Sequence, residues 1–148
     1  MKLSQVIAVS VLAIVTAAGF SSLASAPQKS APTSTNFEVM ETSIPEIHAA
    51  MKSGKVTAHA LVQQYLYRID VYDKKGPDLN CIVNLNPQAL AEADKLDAEF
   101  KSTGKFRGSL HGIPILVKDE IDTAGMPTTL GSILFKDYRP PRDAFAIE

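Results

Sequence analysis

Apolar residues recur at helical spacing in some stretches of the chain and run unbroken in others, and the alternation predicts its elements. Ser43 and Glu46 stand at capping-box spacing with Pro45 in the first turn, and Ser53-Gly54 supplies the stop, so a short helix is expected between them. Thr57 is the expected N-cap of a second helix. Leu61, Val62, Tyr65, Leu66 and Ile69 fall on one stripe of it, and Gly76-Pro77 lies beyond its end. "CIVNL", Cys81 to Leu85, reads as a short strand. Asn86 as cap and Pro87 at the first position then predict a third helix. It turns Leu90, Ala93, Leu96 and Phe100 inward, faces Glu92, Asp94, Lys95 and Glu99 mostly outward, and ends near Gly104. After the Gly-rich crossing "GKFRGSLHG", Ile113 to Val117 is apolar or proline throughout, as a buried strand would be. A loop with Gly125, Pro127 and Gly131, a short "ILF" run and a helix start at Asp143 follow. No internal repeat interrupts this order, which is that of the beginning of an α/β domain.

The first residues are of a different composition. Lys2 precedes an apolar stretch from Val6 to Ala18, and small residues run from Gly19 to Ala26. The stretch is short for a bilayer span and its flanks match an export signal, with cleavage expected after Ala24 or Ala26. No cysteine follows the run, which argues against a lipoprotein anchor. The expectation is therefore a signal peptide over residues 1–26, a Pro/Ser/Thr linker over 27–42 and one domain from 43 to 148. The expected last helix has room for barely a turn and a half before Glu148, too little to be stable alone. A fragment or truncated reading frame is the expectation that follows.

Composition narrows the class. The 148 residues carry 15 basic and 16 acidic side chains, net −1, which gives no electrostatic footprint for nucleic acid or an anionic membrane. With 45% hydrophobic and 21% charged residues the bulk of the chain reads as globular. One cysteine, Cys81, excludes an internal disulfide and a cysteine-based zinc site; within its apolar run it reads as a small buried hydrophobe.

The chemistry concentrates at Lys118, where the Ile113 to Val117 run ends on an amine followed by Asp119 and Glu120. Either the ammonium reaches back to water along its stem, or the chain places an amine in a dry site, where burial disfavours the charged form and leaves a base. A carboxylate in contact would restore the charge. Asp119, Glu120 and Asp122 could also suggest a hard-cation site, but three close carboxylates without further oxygen ligands are a weak signal, and no metal is expected. His111 precedes the run without a Ser-His-Asp pattern around it and reads as a loop or packing residue. His48 and His59, on helices, read as structural or exposed.

The stretch "GIPILVKDEIDTAGMPTTLGS" resembles the first signature segment of the amidase signature family, G-[IV]-P-x-x-x-K-D-x-[IF]-D followed by T-x-G-x-x-T-T-x-G-S. Gly112, Pro114, Lys118, Asp119, Asp122, Gly125, Thr128, Thr129, Gly131 and Ser132 fall in register together. Upstream, "SGKVTAHALVQQYLYRID" resembles the family's N-terminal helix pair and "ALAEADKLD" its run-in, so the likeness covers about Ser43 to Glu148. Glu120 stands where the family more often has Asn. The resemblance implies an α/β/α mixed-sheet domain, here incomplete, with only its N-terminal helices and first strands. It implies amide hydrolysis by a Ser-cisSer-Lys triad, without metal, nucleotide or other cofactor, on a small-molecule amide. Lys118 matches the family's catalytic lysine. The two serines of that triad sit in a Gly/Ser-rich segment of which the chain has no counterpart. Ser109 reads as a turn residue, and Ser132 matches a loop serine that is not the nucleophile. The chain alone is thus expected to be inactive, and a non-catalytic remnant or binding protein is the alternative. A transamidating protein of aminoacyl-tRNA synthesis is a further alternative, disfavoured by the export signal. An exported protein, without stable membrane insertion once the signal is removed, completes the expectation.

Overall fold

Glu46 closes the first helix on itself. Its carboxylate accepts the Ser43 N–H at 2.8 Å and the Ser43 hydroxyl at 2.6 Å, and these bonds hold the Glu46 carboxyl below its ordinary range. Helix α1 (Ile44–Lys52) begins there, as the capping-box spacing predicts. The structure, a computed structural model, describes residues 37–148; the expected signal peptide and most of the expected linker lie outside the described residues.

Helix α2 (Ala58–Arg68) starts at Thr57, whose hydroxyl accepts the Ala60 N–H at 3.0 Å. It runs on as a π-helical turn, Ile69–Asp73. Helix α3 (Ala89–Thr103) begins later than its sequence suggests. The Asn86 side chain accepts the Gln88 N–H at 2.8 Å, which commits Asn86 to a local turn ahead of the helix. Gly104 ends α3 in the left-handed region, φ 67°, where a glycine has no Cβ to clash.

The apolar stripes meet as predicted. Leu61 and Ala58 are fully buried, and Ile47, Ala50, Met51, Val56, Val62 and Ala93 close around them. Val39 joins this core from ahead of α1. Asp97 of α3 reaches across to the start of α2, its carboxylate accepting the N–H groups of Ala58 and His59. Gly112 touches the same core from the far side, at φ 73°. A Cβ there would stand 2.9 Å from the Ala58 Cβ and 3.1 Å from the Met51 Cε. That close approach requires glycine.

Several local expectations are not met among the described residues. No strand forms among the described residues, so they bear out the helices of the α/β reading and leave its strands unconfirmed. A strand needs a neighbour to take its N–H and C=O groups. The Cys81 to Leu85 run instead gives N–H groups to a carboxylate: Asp73 accepts from Cys81 at 2.6 Å and from Ile82 at 3.3 Å. In the Ile113 to Val117 run, the Ile113 N–H turns back to the Leu110 carbonyl at 3.1 Å, and no strand lies alongside. "ILF" is a 3₁₀ turn, Ile133–Phe135, started by the Ser132 hydroxyl accepting the Leu134 N–H at 3.3 Å. The expected helix at Asp143 reduces to a single turn in which the Ile147 N–H bonds the Ala144 carbonyl at 2.8 Å. Cys81 is exposed rather than buried, its thiol directed at Asp73 at 3.0 Å.

Candidate active site

The signature segment lies beside the helical core rather than inside it. Among the described residues, none of the buried apolar core comes after Ala93. What anchors the segment is its first part. His111 is buried, 5% exposed, and stacks on Phe106 at 5.1 Å between ring centres. Its Nδ1 accepts the Arg107 N–H at 3.1 Å, and its carbonyl accepts from His48 Nε2 at 3.0 Å. Both histidines are thus engaged in packing and backbone support. His59 pairs with Asp94 at 2.7 Å on the helix surface.

Beyond Gly112 the chain emerges. Leu116 is 78% exposed, and the Lys118 side chain 74%. The expected burial of this run is therefore not what the chain adopts, and of the two alternatives for Lys118 it takes the one that reaches water. A run with no strand beside it has nothing to bury it, and its terminal amine stays in water. Lys118 Nζ pairs with Glu120 Oε1 at 2.9 Å. Glu120 is the residue at which the segment departs from the usual Asn, so the departure places a carboxylate directly on the amine.

Lys118 also opens a turn, its carbonyl accepting the Ile121 N–H at 2.9 Å. Asp119, next in that turn, faces away from the amine and collects the Thr-Thr-x-Gly-Ser loop. Its Oδ2 accepts the Thr129 hydroxyl at 2.5 Å and the Gly131 N–H at 3.2 Å, and its Oδ1 accepts the Thr129 N–H at 3.3 Å. The Thr129 hydroxyl is the first cause, ahead of the backbone donors, that holds the Asp119 carboxyl below its ordinary range, against partial burial. Thr128 is buried, and its N–H donates to the Tyr138 carbonyl at 3.0 Å. The end of the chain folds back on the same loop: Asp143 accepts the Ala124 N–H at 2.7 Å, and Arg139 donates to the Gly125 carbonyl at 2.8 Å.

The acidic residues after Lys118 are thus divided. Asp119 serves the loop and Glu120 the amine. Among the described residues no group of three or more His, Cys, Asp or Glu gathers into a metal site. Ser132 caps the 3₁₀ turn, and Ser109 is exposed in the turn ahead of Gly112. Neither is poised beside Lys118 as a nucleophile. The loop's dependence on Asp119 is a feature that sequence reasoning misses; its only trace is a carboxylate adjoining the lysine and a pair of threonines a loop-length away.

Known proteins share this segment. A family model, Amidase, matches residues 60–148. Among curated proteins, the chain is 35% identical over 111 residues to a glutamyl-tRNA(Gln) amidotransferase subunit of Chloroflexus aurantiacus, covering 75% of this chain and 22% of that protein. It is 36% identical over 99 residues to the chloroplastic/mitochondrial counterpart of Arabidopsis thaliana, covering 67% of this chain and 18% of that one. Among solved structures, native peptide amidase from Stenotrophomonas maltophilia matches with a TM-score of 0.69 and 41% identity, over 73% of this chain and 22% of that chain. An amidase family protein from Bacillus anthracis matches with a TM-score of 0.67 and 36% identity, over 72% and 21%. The chain spans about a fifth of the length of the curated relatives it matches. With the lysine-bearing segment in register and the fold alike over most of its described length, the chain belongs to the amidase (amidase signature) family.

Proposed function

We propose that this chain carries the lysine-bearing part of an exported amidase that hydrolyses a small-molecule amide, with Lys118 as the terminal base of a Ser-cisSer-Lys triad. The observation that carries the reading is Lys118 at the end of the Ile113 to Val117 run, with the Thr129–Gly131 loop tied to its turn, inside a segment matched by the family model. In this reading the neutral amine takes a proton relayed through one serine from a second. That second serine attacks the amide carbonyl, and water then hydrolyses the acyl-enzyme. No metal or cofactor takes part. The two serines belong to a part of the fold that the chain does not span.

The chain alone is proposed to be inactive. Both serines of the triad are missing from it, and Lys118 meets Glu120 instead of a hydroxyl. Export rests on the sequence signal alone, Lys2 with the Val6 to Ala18 run and the small-residue tail; N-terminal sequencing of exported material tests it, and intact Met1 on cytosolic protein would contradict it.

The amidotransferase relatives favour a second reading, transfer of an amide nitrogen within a larger assembly. The first chemical step is the same, so the two differ in what accepts the product. Steady-state turnover of a simple aryl amide by the full-length protein, with and without Lys118→Ala, tests the main reading. Hydrolysis without any added protein supports it. Turnover that requires a partner and a tRNA supports the second.

A further inference from the structure

Lys118 is held through its backbone, while its side chain stands mostly in solvent. Its carbonyl closes a turn onto the Ile121 N–H at 2.9 Å, and the side chain of the next residue, Asp119, is held by three donors from residues 129 and 131. The ammonium, by contrast, is mostly exposed and paired only with Glu120 among the described residues. The backbone is thus the part of Lys118 that this segment defines.

We propose that Asp119 is a positioning residue for Lys118: by gathering Thr129 and Gly131 on one carboxylate, it fixes the backbone from which the amine is presented to its reaction partner. The proposal rests on the reading of Lys118 as the base and deepens it. Why a carboxylate is needed follows from the donor set. A hydroxyl and two N–H groups converge on its two oxygens, and a carboxylate offers acceptor sites on both. An asparagine presents one oxygen and one NH₂, which would face a donor with a donor. The Thr129 hydroxyl is the shortest of the three contacts, so Thr129→Val removes one arm and Thr129→Ser restores it. Catalytic geometry is steep, a misplacement of about 1 Å costing ~10²-fold.

The test is kinetic, on the full-length protein with Asp119→Asn, Thr129→Val, Thr129→Ser and Lys118→Ala. Asp119→Asn is expected to lower kcat about 10- to 100-fold with KM little changed. Thr129→Val is expected to fall in the same direction, and Thr129→Ser to stay near wild type. A merely structural role would lower the melting temperature and leave kcat per active site, counted with a covalent serine reagent, unchanged; that result overturns the proposal. Amide exchange on the 148-residue chain supplies a second measurement should Asp119→Asn not fold in the longer protein. There, Asp119→Asn should lose protection at Thr129, Gly131 and Ile121 while α1 to α3 stay protected, and unchanged protection at those three residues overturns the proposal. If Lys118→Ala keeps wild-type turnover, the reading of the base itself fails. If Lys118→Ala is dead while Asp119→Asn is wild type, only the positioning role falls.

Discussion

Asp97 and Ala58 meet between α3 and the start of α2, the Asp97 carboxylate accepting the Ala58 N–H at 2.7 Å and the His59 N–H at 2.9 Å. These are first-turn donors of α2, which no residue of α2 itself can satisfy, and a negative charge at that end also suits the helix dipole. A single side chain on α3 therefore caps α2 and holds the two helices in register. Asp97→Ala is expected to cost about 0.5–2 kcal/mol, the range of a lost cap. Asp97→Asn should cost less, since one acceptor remains. Thermal melts followed by helical circular dichroism check both, and an unchanged midpoint in Asp97→Ala would show that water replaces the carboxylate without loss.

That contact also marks where the sequence is legible and where it is not. The Ser43–Glu46 box, the Thr57 cap and the Gly104 stop lie within a few residues of what they serve, so their spacing alone predicts α1, α2 and the end of α3. The apolar stripe through Leu61 and Val62 is equally readable, because helical period selects one face. The runs at Cys81 and Ile113 read as strands from composition, but a strand exists only with a partner, and pairing is not written in the run itself. Asp97 and Asp119 are invisible in their structural roles, since their donors lie on other elements. At Lys118 the residue type and the segment are legible. The exposed amine and its Glu120 partner depend on what surrounds the run.

Asp73 ties the end of the π-helical turn to the chain that follows. Its carboxyl is held far below its ordinary range, first by the Cys81 thiol and then by the Lys74 ammonium, and the same contact raises the Cys81 thiol. A raised thiol has less thiolate at mildly alkaline pH, so Cys81, though exposed, should alkylate more slowly than a free cysteine. Asp73→Asn should speed alkylation by iodoacetamide severalfold. Equal rates in the two proteins would mean that the thiol does not feel the carboxylate.

Asp73 and Asp119, like Glu46 and Glu99, hold carboxyls lowered by their partners and so tie local structure to pH. Both carboxyls are lowered in the folded chain, so the stability they contribute is complete above the ordinary carboxylate value of about 4 and is lost as pH falls through the lowered values. Protection of the Gly131 N–H should therefore persist at about pH 5 and decline below about pH 4. In Asp119→Asn that N–H should be poorly protected on both sides of this range. Amide exchange is the check, and loss of protection already between about pH 7 and pH 5 would contradict the assignment.

The signature segment leaves apolar side chains in water. Leu116 is 78% exposed, Leu134 85% and Phe145 94%, on the same stretch that carries Lys118. Large apolar side chains left in water promote association. The chain by itself is expected to bind a hydrophobic dye and to self-associate, and L116K, L134K and F145K combined should reduce both. Light scattering behind a sizing column checks it; a dye-silent wild-type monomer would show that these side chains are covered.

The measurement that reaches the central claim most directly is chemical rescue of the amine. In full-length protein carrying Cys81→Ser, Lys118→Cys removes the proposed base and leaves a thiol that bromoethylamine converts to a lysine analogue. Lys118→Cys is expected to lower kcat for an aryl amide by about 10²–10⁴-fold or more, as loss of a general base does when it acts as a unit with other groups. Aminoethylation should then restore a substantial part of the turnover. A folded Lys118→Cys protein that hydrolyses amide at the wild-type rate, or one that gains nothing from the restored amine, would contradict Lys118 as the base.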